Sequence, residues 1–185
     1  MNETQWIVME IDGRIASVAA DYLHASEIMA RLASHSPSEV AEIRTRKVPT
    51  SALPELDASV KWEDLQLYGT AFQKKVWETL YGLTHPVPER PKLLSYSDFA
   101  ALCGTPQGVR ATAHALALNP IAYIIPCHLV IPKESSDRIA QIREGAENTL
   151  FRGSDLYLLD TIDVGEFEYG PDLKRELIKL QFAKV

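Results

Sequence analysis

The stretch 124–132, IIPCHLVIP, sets Cys127 beside His128 inside an otherwise apolar run. Cysteine is used only twice in the chain, at Cys103 and Cys127. An ordinary thiol has a pKa near ~8.5 and is only a few per cent thiolate at neutral pH, so a nucleophilic cysteine needs a neighbouring base or positive charge. His128 is the adjacent base. In an extended segment adjacent side chains point to opposite faces, so the pair cooperates only across a turn or through a water, and Pro126 makes such a turn plausible. The plainer reading of a Cys-His pair is a small buried hydrophobe next to a surface imidazole. Cys103, in the apolar FAALCG, fits that plainer description and is expected in the core.

The elements that must position these residues are signalled just upstream. TAFQKKVWETL opens with Thr70 and Gln73 in capping-box spacing, and Phe72, Val76, Trp77 and Leu80 form one apolar face, which predicts a helix. SYSDFAALCG offers Ser95 as an N-cap and Gly104 as a stop. TPQGVRATAHALALN restarts at once, with Thr105 as cap and Pro106 at the first helical position. Two short helices around a tight Gly-Thr turn predict a helix-turn-helix. Arg110 and His114 fall on one side of the second helix among small alanines, and small residues let a helix sit deep in a groove. Such helix pairs also occur in proteins that never touch DNA.

Further upstream, QWIVMEI and RIASVAA flank Asp12-Gly13, a strong two-residue hairpin signal. YLHASEIMARLAS has apolar residues at helical spacing, so a helix is expected against the hairpin. Residues 48–60, with two prolines and no clear period, read as a linker. The fold class is therefore mixed, α/β in the α+β sense. At 185 residues, 46% hydrophobic and 24% charged, the chain can bury a real core as one large domain or two small ones.

The net charge of −6 argues at first sight against nucleic acid, because phosphate contacts need Lys and Arg. It is unevenly spread. Residues 1–68 carry 6 Lys and Arg against 11 Asp and Glu, residues 134–185 carry 7 against 11, and residues 69–133 carry 6 against 3. The basic third holds the Cys-His pair. No signal peptide or membrane-spanning run is visible, and two cysteines 24 positions apart suggest thiols rather than a disulfide framework. A cytoplasmic protein is expected, nucleoid-associated in a bacterium.

GTAFQKKVW, SYSDFA, GVRATAHALALNP and IPCHLV, in that order, closely resemble the 6-O-alkylguanine-DNA alkyltransferases, the methylated-DNA protein-cysteine methyltransferases. The resemblance runs over roughly residues 69–132. It implies an N-terminal ribonuclease-H-like small sheet with helices and a linker over 1–60. It also implies a mostly helical, winged-helix-like alkyltransferase domain over 61–162, and leaves 163–185 as a C-terminal helical extension. By the same resemblance, Cys127 is the nucleophile that takes the alkyl group from guanine and His128 is the base that draws off its proton through water. Tyr96 helps rotate the target nucleotide and hydrogen-bonds the flipped base, and Arg110 is the finger that fills the vacated stack. An enzyme acting on a base must unstack it, and an inserted planar cation offsets part of that cost. Ser95 and His114 join Tyr96 and Arg110 as DNA-binding residues. Val130 contributes a backbone carbonyl that reads the guanine amino edge, and Asn119 is a structural hinge asparagine beside the substrate site.

The implied reaction is a direct displacement that leaves a thioether on Cys127, one lesion per protein, with no metal and no organic cofactor. The expected partner is alkylated double-stranded DNA, bound by a monomer, with no membrane. Some family members hold a structural zinc in the N-terminal domain; here that domain has no cysteine and only His24 and His35, so no zinc is expected. The chain departs from the family pattern in three places. Leu129 stands where the family usually has arginine. A longer ESSDRIAQIREGAENTLFRGSD replaces a short Gly-rich loop. The family glutamate that orients the histidine corresponds to Ile162, flanked by Asp160 and Asp163, which leaves the third member of the relay open. The alternatives are a non-enzymatic alkylated-DNA-binding or regulatory protein on the same scaffold, in whose known examples the cysteine is replaced, and an unrelated cysteine hydrolase, for which no Gly-rich nucleophile turn is present.

Overall fold

Two successive positive φ angles, 51° at Asp12 and 78° at Gly13, turn the chain between β1 (Gln5–Ile11) and β2 (Arg14–Ala19). This is the primed two-residue turn that Asp-Gly predicts, because its twist matches that of the flanking strands. The computed structural model describes residues 3–34, 42–86, 92–143 and 153–183. Their contacts divide into two units, Met1–Tyr81 with Leu118–Pro126, and Gly82–Ala117 with Cys127–Val185. None of the described helices is long and apolar enough to cross a membrane.

The first unit is built on a three-stranded antiparallel sheet of order β2-β1-β3, with β3 at Ile43–Pro49. The helix α1 (Tyr22–Ala33) packs on β2 and starts after Asp21, whose carboxylate accepts from the His24 N–H at 2.8 Å. That oxygen satisfies one of the N–H groups a helix start leaves without an intrahelical partner. β1 is the central strand and buries four residues in a row, Trp6 to Met9. β3 was not anticipated from the sequence: its first five residues, IRTRK, are exposed, so it has no apolar alternation to read. Its charges suit an edge strand, where they oppose pairing with another chain.

Residues 48–60, expected as a linker, are ordered. β3 ends at Pro49, a 3-10 turn covers Thr50–Ala52, and α2 spans Leu53–Ala58. Both prolines sit where a missing N–H is tolerated, at a strand end and in the first turn of a helix. Val48, Thr50, Leu53 and Leu56 are buried, and Trp6 Nε1 donates to Thr50 Oγ1 at 3.0 Å. α3 (Ala71–Tyr81) has the reciprocal cap its sequence predicts, Thr70 N–H to Gln73 Oε1 at 2.8 Å and Gln73 N–H to Thr70 Oγ1 at 3.1 Å. Val76, Trp77 and Leu80 are buried; Phe72 is half-buried.

The second unit holds β4 (Leu94–Ser95), α4 (Tyr96–Leu102), α5 (Val109–Ala117), a 3-10 turn at Cys127–Leu129, β5 (Val130–Ile131), α6 (Lys133–Arg143), a 3-10 segment at Gly153–Asp160 and α7 (Pro171–Phe182). β4 and β5 pair in parallel, Leu94 with Val130 and Ser95 with Ile131. Leu129, Ile131, Ile139, Leu159, Ile162, Val164, Ile178 and Phe182 form a core. α4 packs on α5. The second helix starts later than expected, at Val109 rather than Pro106. The Gly108 N–H donates to the Thr105 carbonyl at 2.8 Å, so Thr-Pro-Gln-Gly is a β-turn with proline and glycine in the second and fourth places those residues favour. Thr105 therefore belongs to the turn and not to a cap. α7, expected as an extension, packs against the 127–129 turn and the 153–160 segment. Arg175 fastens it, Nε to the Leu159 carbonyl at 3.0 Å and Nη2 to the Ile162 carbonyl at 3.1 Å.

Candidate active site

Cys127 opens a 3-10 turn directly after Pro126, so the chain is not extended there. With three residues per turn, successive side chains diverge by about 120° rather than pointing to opposite faces. Cys127 is half-buried and His128 fully buried. Cys103 is 1% exposed, and neither cysteine is in a disulfide. An electrophile in solution therefore has access to Cys127 in a way it does not to Cys103.

Tyr96 is the first residue of α4, and Ser95 is its N-cap. Ser95 Oγ accepts from the Asp98 N–H at 3.1 Å and donates to Asp98 Oδ2 at 2.6 Å. Ser95 is fully buried, so it can act on a DNA surface only by holding the start of α4. Because β4 pairs with β5, the residues before Tyr96 are fixed to the strand that follows the Cys127 turn. Burial raises the Tyr96 phenol to about 12, with smaller contributions from the Cys127, Glu166 and Asp163 charges. It stays neutral across the physiological range and keeps its proton to donate. Gly165 lies against it with φ +79°; a Cβ there would come within 3.0 Å of Pro132 Cδ and 3.4 Å of Tyr96 Oη. Only glycine meets both demands.

Val130 is buried, and its carbonyl accepts from Lys174 Nζ at 2.8 Å. Lys174 was not singled out in the sequence, although a signal existed. It falls on the stripe 174, 177, 178, 181 of α7, whose other members Leu177, Ile178 and Gln181 are buried with it. Of the acids near the open relay position, Asp160 pairs with Lys179 at 2.8 Å, and Asp163 Oδ1 accepts from the Gly165 N–H at 2.8 Å. Ile162 itself is core.

Arg110 and His114 are exposed one helical turn apart on α5, while Thr112, Ala115 and Leu116 face inward. Asn119 is buried in the first unit, where its Nδ2 donates to the Ile125 carbonyl at 2.7 Å and its Oδ1 accepts from the Ile121 N–H at 3.0 Å. It thus closes the 119–125 loop on itself. Replacing it with Leu strands two buried backbone groups, each costing about 1–3 kcal/mol. Asn119→Leu is expected to lose at least ~2 kcal/mol in urea unfolding; a loss below ~0.5 kcal/mol would show that the loop does not depend on it.

Ser95, Tyr96, Arg110, His114, Asn119, Cys127, His128 and Val130 all lie between positions 71 and 149, whereas Asp160, Asp163, Gly165 and Lys174 follow that stretch. Residues 71–149 match the family model described as 6-O-methylguanine DNA methyltransferase, DNA binding domain. The likeness is to the alkyltransferases. A probable methylated-DNA–protein-cysteine methyltransferase of Acanthamoeba polyphaga mimivirus is 47% identical over 72 residues, 39% of this chain and 45% of that one. The methylated-DNA–protein-cysteine methyltransferase of Mycobacterium leprae is 38% identical over 104 residues, covering 53% of this chain and 60% of the relative. The chain spans about half the length of the curated relatives it matches. The crystal structure of O6-methylguanine-DNA methyltransferase from Pyrococcus kodakaraensis has a similar fold, with a TM-score of 0.62 at 20% identity over 98% of this chain and 94% of that one. The alkyltransferase likeness thus extends, as fold, through α1 to α3 and through α7.

Proposed function

We propose that this protein repairs alkylated DNA by moving the alkyl group from the O6 position of guanine to Cys127. The observation that carries the reading is Cys127 itself, half-buried at the head of a 3-10 turn with His128 next to it, inside the segment that matches an alkyltransferase domain. Arg110, with His114 one turn on, faces solvent on α5, where the second helix of a helix-turn-helix meets a groove. Arg110 enters the stack as the damaged guanine rotates out, and the partner is double-stranded DNA. Tyr96, neutral and half-buried, donates to the flipped base. The Val130 carbonyl receives the guanine amino group through its second lone pair, the first being held by Lys174.

His128 draws the thiol proton off through a water. The thiolate attacks the alkyl carbon, the carbon–oxygen bond to guanine breaks, and the leaving guanine oxygen takes up a proton. The product is a thioether, which has no leaving group good enough to return the thiol, so each protein acts once. The site asks for neither metal nor organic cofactor, and a monomer in the cytoplasm suffices.

Intact-mass measurement after mixing with a duplex carrying O6-methylguanine is expected to show a gain of one methyl group per protein, mapped by peptide analysis to Cys127. A label on Cys103, or more repaired guanine than protein, would overturn the reading. The Arg110 role separates from simple charge. Arg110→Ala is expected to slow repair of duplex far more than reaction with free O6-alkylguanine, where nothing has to be unstacked. A phosphate contact would instead lower the salt slope of binding by about one unit and leave chemistry on the free base alone. Equal slowing on both substrates would sink the insertion role.

A further inference from the structure

Residues 1–68 are acidic as a whole, with 6 Lys and Arg against 11 Asp and Glu, yet three of the six cations, Arg44, Arg46 and Lys47, crowd into β3. All three are exposed, and no acid interrupts the run from Ile43 to Lys47. Alternation along a strand puts Arg44 and Arg46 on one face, about 7 Å apart, and Lys47 on the other. A shallow groove beside them is lined by Glu10, Arg44, Thr45 and Arg46. The carboxylates that face the strip are Glu42, 2.9 Å from Arg44 Nη2, and Glu10, 3.7 Å from Arg46 Nε. Ion pairs this open to water hold their partners weakly, so another anion can displace the carboxylates. Lys47 has no ion-pair partner among the described residues.

The outer edge of β3 is open as well. The Asp12 N–H donates to the Glu42 carbonyl at 2.9 Å and the Thr50 N–H to the Thr4 carbonyl at 3.1 Å, so the even-numbered residues of β3 turn towards β1. Ile43, Thr45 and Lys47 then turn their backbone groups outward, and no described strand pairs with them. A peptide added there as a further strand would take its selectivity from pockets for alternate side chains, and the five exposed residues offer one apolar group, Ile43. Protection of a bare edge is served by charge of either sign. It does not call for three cations together, two of them arginines, whose planar fork matches phosphate.

We propose that β3 is a second nucleic-acid contact, in which Arg44, Arg46 and Lys47 bind the phosphate backbone of duplex DNA. The contact belongs to the first unit, on a different element from α5 in the second. This rests on the reading that the partner is double-stranded DNA. Phosphate contacts hold a protein on the duplex and carry no sequence information, so the strip adds affinity for any duplex and none for the alkylated base. It also supplies cations that a chain of net charge −6 needs for such a partner. Anisotropy of a labelled, unmodified duplex across a range of salt reads the contact, because each phosphate neutralised adds about 0.9 to the slope of log affinity against log salt. The triple variant Arg44→Gln, Arg46→Gln, Lys47→Gln is expected to lower that slope by about two to three units, and to react with free O6-alkylguanine at the wild-type rate. Arg44→Lys with Arg46→Lys is expected to keep the wild-type slope. Arg44→Glu with Arg46→Glu leaves the edge charged, and is expected to lose slope without self-association, which separates the contact from edge protection.

A triple variant whose slope stays within about half a unit of the wild type would overturn the proposal, as would a lysine pair that loses as much slope as the triple. Polyglutamate that binds the wild type as tightly as the duplex does, and fails to bind the triple variant, would make the strip a polypeptide site and overturn it too. A slope that falls as expected, in a protein that takes no methyl group from an O6-methylguanine duplex, would sink the proposed function and leave the β3 contact standing. Methyl transfer with an unchanged slope would sink the contact alone.

Discussion

Cys127→Ala is expected to abolish alkyl transfer completely while leaving affinity for alkylated duplex within a few-fold of the wild type. The loss is total because the sulfur is the atom to which the new bond forms. The other cysteine, 1% exposed, is closed off in the core. Binding survives because the affinity of DNA-binding proteins rests largely on phosphate contacts, and the exposed Arg110 and His114 lie on α5, away from the 127–129 turn in sequence. Intact mass reads the transfer and fluorescence anisotropy with a labelled duplex reads the binding. Methyl still gained by the variant would place the nucleophile elsewhere. Binding lost together with transfer, in a variant whose circular dichroism matches the wild type, would make the cysteine structural.

Leu129→Arg is expected to be the most damaging single change to stability, although it writes in the residue the alkyltransferase pattern usually carries there. Leu129 is fully buried in the core it forms with Ile131, Ile139, Leu159, Ile162, Val164, Ile178 and Phe182. A guanidinium placed among those side chains meets no carboxylate on that list. Stranding an unpaired charge in such a site costs upwards of about 3 kcal/mol, a large part of the 5–15 kcal/mol that holds an ordinary domain folded. Leu129→Ala provides the scale, with an expected loss of about 2–5 kcal/mol for the cavity alone. Urea unfolding of the three proteins decides it: an Arg variant as stable as the wild type would mean that residue 129 reaches solvent. The departure from the family pattern is thus a packing choice, in which the position after His128 has become part of the core beneath α7.

Local chemistry carried much of this protein in its sequence. The Asp12-Gly13 hairpin, the Thr70–Gln73 capping box, the Ser95 cap and the amphipathic 171–182 helix each depend on residues within a few positions of one another, and each forms as read. The Cys-His pair and its basic surroundings were legible for the same reason. Where the reading failed, the deciding interaction lay far along the chain or between competing local signals. β3 exists because β1 offers it a second edge, a fact absent from IRTRKVP itself. The stretch 48–60 looked like a linker because its prolines were visible and the Trp6–Thr50 hydrogen bond, across 44 positions, was not. Thr105-Pro106 satisfies the rules for a helix start and for a β-turn alike, and the Thr105–Gly108 bond selects the turn.

The same division holds at the site. Sequence by itself determined which groups can react, since a thiol beside an imidazole is a matter of residue type and adjacency. Only the tertiary structure decided what surrounds them. The parallel pairing of Leu94–Ser95 with Val130–Ile131 brings Tyr96 to the cysteine turn from more than 30 positions away, and the packing of α7 brings Lys174 to the Val130 carbonyl across 44. A charge on an amphipathic stripe reads as an irregularity until the fold shows what it faces, because burial and electrostatic field are properties of the assembled neighbourhood and belong to no single stretch of chain.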